Sequence, residues 1–170
     1  MNIEIIHRYP PEILNLLVDT IPILCRSKND VLVFFKGAGV PPAITEDFRQ
    51  KLATDRNSVN KYEIVREVLV RLNDKGETSL RERREVLKRV IEFEEFSTCW
   101  PDDQLKAKGL VAEIQRVVDV KDSFGRMRQA EEAERYQRQE EERRKATKLK
   151  EKQLKLAEVK RDLYSLICGN

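Results

Sequence analysis

An all-α fold, a small helical bundle followed by a long charged helix with a short coiled-coil segment, follows from three observations. Apolar residues recur at helical spacing in several short windows of the first 122 positions. Gly, Pro and capping residues separate those windows. No Gly or Pro falls between Arg126 and Ile167, a stretch rich in Glu, Lys, Arg, Gln, Ala and Leu, the strong helix formers. The chain has 170 residues, 37% charged, 40% hydrophobic and 6% aromatic, with a net charge of +3. That is too charged for one ordinary globule and too apolar for full disorder, so two regimes are expected: a bundle over 1–122, with a subdivision near 55–60, and a charged helix over 123–168. The longest apolar run, Val31 to Phe35, is five residues, against the roughly 18 a membrane helix needs. Glu4 and the lack of a long apolar stretch after it speak against a secretory signal.

Pro10 and Pro11 precede Glu12, and proline suits a first helical turn. Ile13, Leu16, Leu17 and Leu24 then mark one helix face, which Pro22 should kink or end. Ser27 to Asp30 reads as a cap before Val31–Phe35, with Gly37 as the stop. Five apolar residues also suit a buried strand, but the helical caps on either side favour helix. Gly37 to Pro42 is a loop, and Thr45 is expected to cap a helix running through Leu52. Tyr62, Val65, Val68, Leu69 and Leu72 give the clearest helix, ended at Asn73-Asp74-Lys75-Gly76. Ser79 and Glu82 have capping-box spacing ahead of a helix bearing Leu87, Val90 and Ile91. Trp100-Pro101 breaks the chain. Asp102 or Asp103 should cap a last short helix with Leu105, Leu110, Ile114, Val117 and Val118 facing inward.

The charged helix is expected over 124–167, with Gly169 as its C-cap. Residues 126–162 hold 13 bases and 9 acids, the source of the whole positive surplus. The signs separate within it: 131–142 holds six acids and two bases, 143–161 nine bases and two acids. Pairs such as Glu131–Arg135, Glu140–Arg144 and Glu151–Lys155 add about 0.2–0.5 kcal/mol each to an isolated helix. Leu149, Leu156 and Leu163 lie seven apart, and Val159 and Leu166 fill the other seam position, interrupted by Lys152. That is about two and a half heptads. Upstream, 131–148 carries no stripe, as in a solvated helix. Acid and base blocks on one helix suit antiparallel pairing of two copies.

No catalytic constellation emerges. Cys25, Cys99 and Cys168 are far apart and odd in number, which disfavours disulfides and zinc and points to a reducing compartment, the cytoplasm. His7 is the sole histidine, so a Cys–His nucleophile would rest on a chance meeting. Gly37-Ala38-Gly39 lacks the Gly-Lys-Ser/Thr ending of a phosphate loop. Pro101-Asp102 and Glu158-Val159-Lys160 imitate a nuclease Pro-Asp…Glu-x-Lys motif, but Glu-x-Lys is nearly unavoidable in such a charged segment. No metal ligands and no cofactor are expected. The two helices over 60–96 have helix–turn–helix order, and Arg81, Arg84 and Lys88 share a face of the second, beside Arg83 and Arg89. Glu82, Glu85 and Glu92 interleave with them. Arg143, Arg144 and Lys148 would add phosphate contacts from the basic block.

Asn60-Lys61-Tyr62-Glu63-Ile64-Val65-Arg66, the run from Leu80 to Val90, Phe96-Ser97-Thr98-Cys99-Trp100-Pro101, Leu105-Lys106-Ala107-Lys108-Gly109-Leu110 and Val120-Lys121-Asp122-Ser123-Phe124 carry a resemblance. Together they resemble the N-terminal region of bacterial restriction-endonuclease-like proteins of the Mrr type. There a helical domain and a charged helix lead into a C-terminal nuclease domain. The family's catalytic Asp and Glu-x-Lys lie downstream of that helix, so no catalytic residue carries over. The resemblance implies a non-enzymatic module of a nuclease-based defence system, partnered by a nuclease domain or subunit.

The expected function is therefore sensing or oligomerisation without catalysis. Leu149, Leu156, Val159, Leu163 and Leu166 form the self-association seam. The alternative is nucleic-acid binding through Arg81, Arg84 and Lys88.

Overall fold

The structure, a computed structural model, describes residues 8–169. Among them it is all-α, with no strand. Six helices follow in order: α1 Pro11–Leu24, α2 Lys28–Gly37, α3 Pro42–Thr54, α4 Lys61–Asp74, α5 Leu80–Ile91 and α6 Gln104–Cys168. The chain divides into two compact units, one ending at Phe124 and one beginning at Gly125.

In the first unit α4 is the central helix, touching α1, α2, α3 and α5. The reason is in its sequence. Ile64, Val65, Val68, Leu69 and Leu72 recur at three- and four-residue steps and are all fully buried. Removing each such side chain from water is worth about 1.5–3 kcal/mol. Tyr62, on the first turn of α4, stays 42% exposed. Asn60 starts the helix with a capping box: its side chain accepts from the Glu63 amide, and the Glu63 carboxylate accepts from the Asn60 amide, both at 2.9 Å. α1 is buried nearly all round from Leu17 to Leu24 and runs through Pro22 to stop two residues later. α2 settles the strand-or-helix choice at Val31–Phe35 as helix, with the Ser27–Asp30 capping box in place.

Several local expectations are overturned. Thr45 does not cap α3. Pro42 sits at its first turn, and Thr45 is buried inside the helix, its hydroxyl donating to the Pro42 carbonyl at 3.4 Å. Ser79 makes no capping bond either. A 3-10 turn over Gly76–Ser79 feeds directly into α5, so the first amides of α5 follow an existing turn, and a Glu82 carboxylate oxygen is buried without a partner among the described residues. Asp102 and Asp103 lie in another 3-10 turn, Pro101–Asp103, where the Asp103 amide donates to the Trp100 carbonyl at 2.9 Å.

The largest departure is α6. The separate short helix after Trp100-Pro101 and the long helix from 124 are one 65-residue element. Gly125 is the sole breaker between Val118 and Arg126. One interior glycine costs about 1 kcal/mol, less than opening a helix end with four unmatched carbonyls. Ala107, Val111, Ile114, Val117 and Val118 are its buried face, whereas Leu105, expected to point inward, is 82% exposed. Leu105 is nine residues from Ile114, and at about 100° per residue that places it on the opposite side. At the far end Gly169 follows α6 without adopting positive φ; the positive-φ glycines are Gly39 at 84° and Gly76 at 58°.

Candidate functional site

Between Gly125 and Cys168 every described side chain but one is exposed, Glu140 being half-buried. The seam positions Leu149, Leu156, Val159 and Leu163 are 57–59% exposed and Leu166 is 84% exposed. Four values within two points of one another are what a regular helix gives its outward side chains when nothing covers them. The heptad positions follow one line along the helix, drifting by about 20° per seven residues, which a left-handed supercoil removes. Lys152 stands in the seam itself, and Lys148, Gln153, Lys155 and Lys160 are among the side chains that flank it. Local ion pairs support the helix upstream, Arg138 with Glu134 at 3.4 Å and Arg143 with Glu140 at 3.9 Å.

Residues expected to contact nucleic acid fall in both units. Arg81 and Lys88 are exposed on α5, and Arg84 is half-buried. Arg143, Arg144 and Lys148 are exposed on the second unit's part of α6. Beside the α5 face, Arg89 is paired with Glu85 at 3.4 Å and its guanidinium lies over Gly37, where a Cβ would come within 2.8 Å of it. Arg81 borders a hollow of about 430 Å3 together with Glu82 and Glu85.

Arg83, grouped by sequence with that basic face, is instead fully buried. Its guanidinium donates to the Leu72 carbonyl at 2.5 Å and to the Gly76 carbonyl at 2.6 Å, closing the end of α4. The Tyr9 hydroxyl donates to the Arg83 carbonyl at 2.6 Å. Burial lowers the Arg83 pKa and raises that of Tyr9. The sign of a basic residue says nothing about burial. Its spacing from Val86, Leu87 and Val90 was the available signal.

Of the three cysteines, Cys25 and Cys99 are buried and Cys168 is exposed, all as free thiols. Burial pushes the Cys25 thiol up to about 12, with Asp30 adding to it, and raises Cys99 as well. Neither is set up as a nucleophile. His7 lies outside the described residues. Among the described residues no group of three or more His, Cys, Asp or Glu converges, and no helix is long and apolar enough to cross a membrane.

A second concave feature was not legible in sequence. A cleft of about 720 Å3 opens between α2, α3 and the start of α4. Arg26, Lys28, Arg49, Arg56 and Lys61 line it, and no carboxylate does. Arg26 and Lys28 flank Ser27, but Arg49, Arg56 and Lys61 come from further along the chain, so no local motif announces the set.

Compared with protein-family models, with curated proteins and with solved structures, the chain has no match. The fold and the exposed seam define a class only: an all-α bundle unit carrying a helix with an uncovered heptad stripe.

Proposed function

We propose that this chain is a non-catalytic sensing and oligomerisation module whose C-terminal helix pairs with a second copy of itself, in the service of a nuclease-based bacterial defence system. One observation carries the pairing: five seam side chains at heptad spacing, all more than half exposed. An exposed apolar stripe with this period is satisfied by another helix of the same period, and a second copy supplies one.

Register and direction follow from magnitudes. Seam-on-seam antiparallel pairing sets Leu149 against Leu166 and Leu156 against Val159, with the centre between 157 and 158. Acid block against base block needs a centre nearer 145, so one register cannot satisfy both. Exposed ion pairs are worth about 0–1 kcal/mol and are screened by salt, whereas each buried leucine is worth about 1.5–3 kcal/mol. The seam therefore sets the register. Parallel pairing in that register would lay the acid block of 131–142 beside its own copy, so charge favours the antiparallel direction. In a Cys168→Ser background, Leu156→Cys mixed with Val159→Cys should give the hetero-crosslink. A dominant Leu156→Cys self-crosslink would show parallel helices.

The defence role rests on the resemblance of residues 60–124 to Mrr-type proteins. The reading frame after Asn170 tests it: an Asp…Glu-x-Lys segment on consecutive predicted strands supports the role, and an unrelated frame removes it. The exposed Arg81 and Lys88 favour one rival reading, nucleic-acid binding. Fluorescence anisotropy with duplex DNA at two salt concentrations separates the two, since no binding at low salt rejects the rival.

A further inference from the structure

The cleft between α2, α3 and the start of α4 lies apart in sequence from the proposed seam over 149–166, and its chemistry is specific. Its cations are of two kinds. Three are held in place. The Lys61 ammonium donates to the Cys25 carbonyl at 2.9 Å, and the Lys28 ammonium donates to the Arg56 carbonyl. Arg26 donates to the carbonyls of Thr98 at 2.6 Å and Cys99 at 3.3 Å, with its guanidinium 4.9 Å from the centre of the Trp100 ring. Each lysine has three donors, so two remain on each for a ligand. The other two cations, Arg49 and Arg56, stand at the cleft on α3 and on the loop after it.

Some cations of the same unit do meet carboxylates. Arg71 binds Asp47, Arg116 binds Glu113 and Arg89 binds Glu85. Among the described residues none of the five cleft cations has a carboxylate within 4.0 Å. The nearby acids are committed to backbone amides, Asp30 to Ser27 at 3.0 Å and Asp55 to Asn57 at 2.9 Å. Five like charges converging without a counter-charge repel one another, and an anion relieves that cost. Inorganic ions alone do not use the rest of the cleft. Leu32, Leu52 and Ala53 give it an apolar wall, and Ser27, Asn29 and Asn57 add neutral polar groups. The volume lies within the roughly 300–1,000 Å3 typical of small-molecule sites.

We propose that this cleft binds a phosphate-bearing small molecule with an apolar body, of the chemical class of a nucleoside di- or triphosphate. Its phosphates lie against Arg49, Arg56, Lys28 and Lys61, and its ring lies against Leu32 and Leu52.

Isothermal titration of the full chain with ATP, GTP, pyrophosphate and a single-stranded oligonucleotide tests this, with wild type beside an Arg49→Ala, Arg56→Ala variant and an Arg143→Ala, Arg144→Ala control. Thermal melts of both variants confirm folding. A nucleotide should bind roughly 10-fold or more tighter than pyrophosphate, corresponding to about 1.4 kcal/mol for the ring. The cleft variant should lose at least that factor, and the control should lose nothing. No binding by either nucleotide overturns the proposal, as does binding unchanged in the cleft variant. So does pyrophosphate binding as tightly as the nucleotides, or binding confined to the oligonucleotide.

Discussion

Arg83 is the residue on which the α4–α5 junction turns. It is fully buried, and its guanidinium donates to the Leu72 carbonyl in the last turn of α4 and to the Gly76 carbonyl of the 3-10 turn that follows. Arg83→Met keeps the volume but leaves both carbonyls without that donor, and each buried unsatisfied group costs about 1–3 kcal/mol. Urea unfolding should show a loss of about 2–4 kcal/mol, whereas Arg81→Met, on the exposed side of the same helix, should change stability little. A loss within experimental error for Arg83→Met would contradict the role assigned to it. Cysteine chemistry separates at the same scale. With its pKa pushed up to about 12 by burial, Cys25 carries almost no thiolate near neutrality, and Cys99 is raised in the same direction. At about pH 8 a thiol-specific reagent should modify the exposed Cys168 quickly and the other two only after denaturation. Rapid modification of Cys25 in the native protein would contradict its burial.

Ion pairing between elements is illustrated by α3 and α4. Arg71 on α4 meets Asp47 on α3 through two bonds of 2.8 Å and also donates to the Ile44 carbonyl at 2.7 Å. The Arg71 hydrogen bonds hold the Asp47 carboxyl below its ordinary value. A carboxyl lowered by folding stabilises the native state above its unfolded pKa, near 3.9, and that contribution is lost as pH falls through the lower folded value. Both side chains are about a third exposed or more, so solvent screens the pair. Asp47→Asn should cost only about 1 kcal/mol at neutral pH and nothing once the wild-type carboxylate is protonated, as pH-dependent unfolding of the two proteins would show. What sequence revealed at this scale was periodicity. The α4 stripe is nearly complete in it, because burial of one face demands three- and four-residue steps. The start of α6 was less legible. Leu105 is apolar but half a turn out of phase with Ile114, and Ala107, too small to stand out, is buried instead. Caps at Thr45 and Ser79 failed because proline and a 3-10 turn had already set the helix start. The basic cleft escaped because its five cations are brought together by packing, and no spacing in the chain encodes that.

For the whole molecule, the nearly neutral +3 hides two different chemistries. The bundle unit balances its charges overall while leaving one cluster of cations uncompensated. The second unit sets six acids and two bases over 131–142 ahead of a basic block and ends in an apolar seam. High salt should strengthen pairing modestly if like blocks lie near one another and should leave the seam itself intact, because apolar burial is not screened. The central claim is that the seam joins two copies. Multi-angle light scattering of the full chain at increasing concentration tests it directly, beside the double variant Leu156→Lys, Leu163→Lys. Wild type should show the mass of an assembly. The variant should dissociate at concentrations roughly 100-fold higher or more, the loss of two buried leucines per chain. A wild-type mass near the monomer's 20.0 kDa throughout, or an assembly that the double variant leaves unchanged, would contradict it.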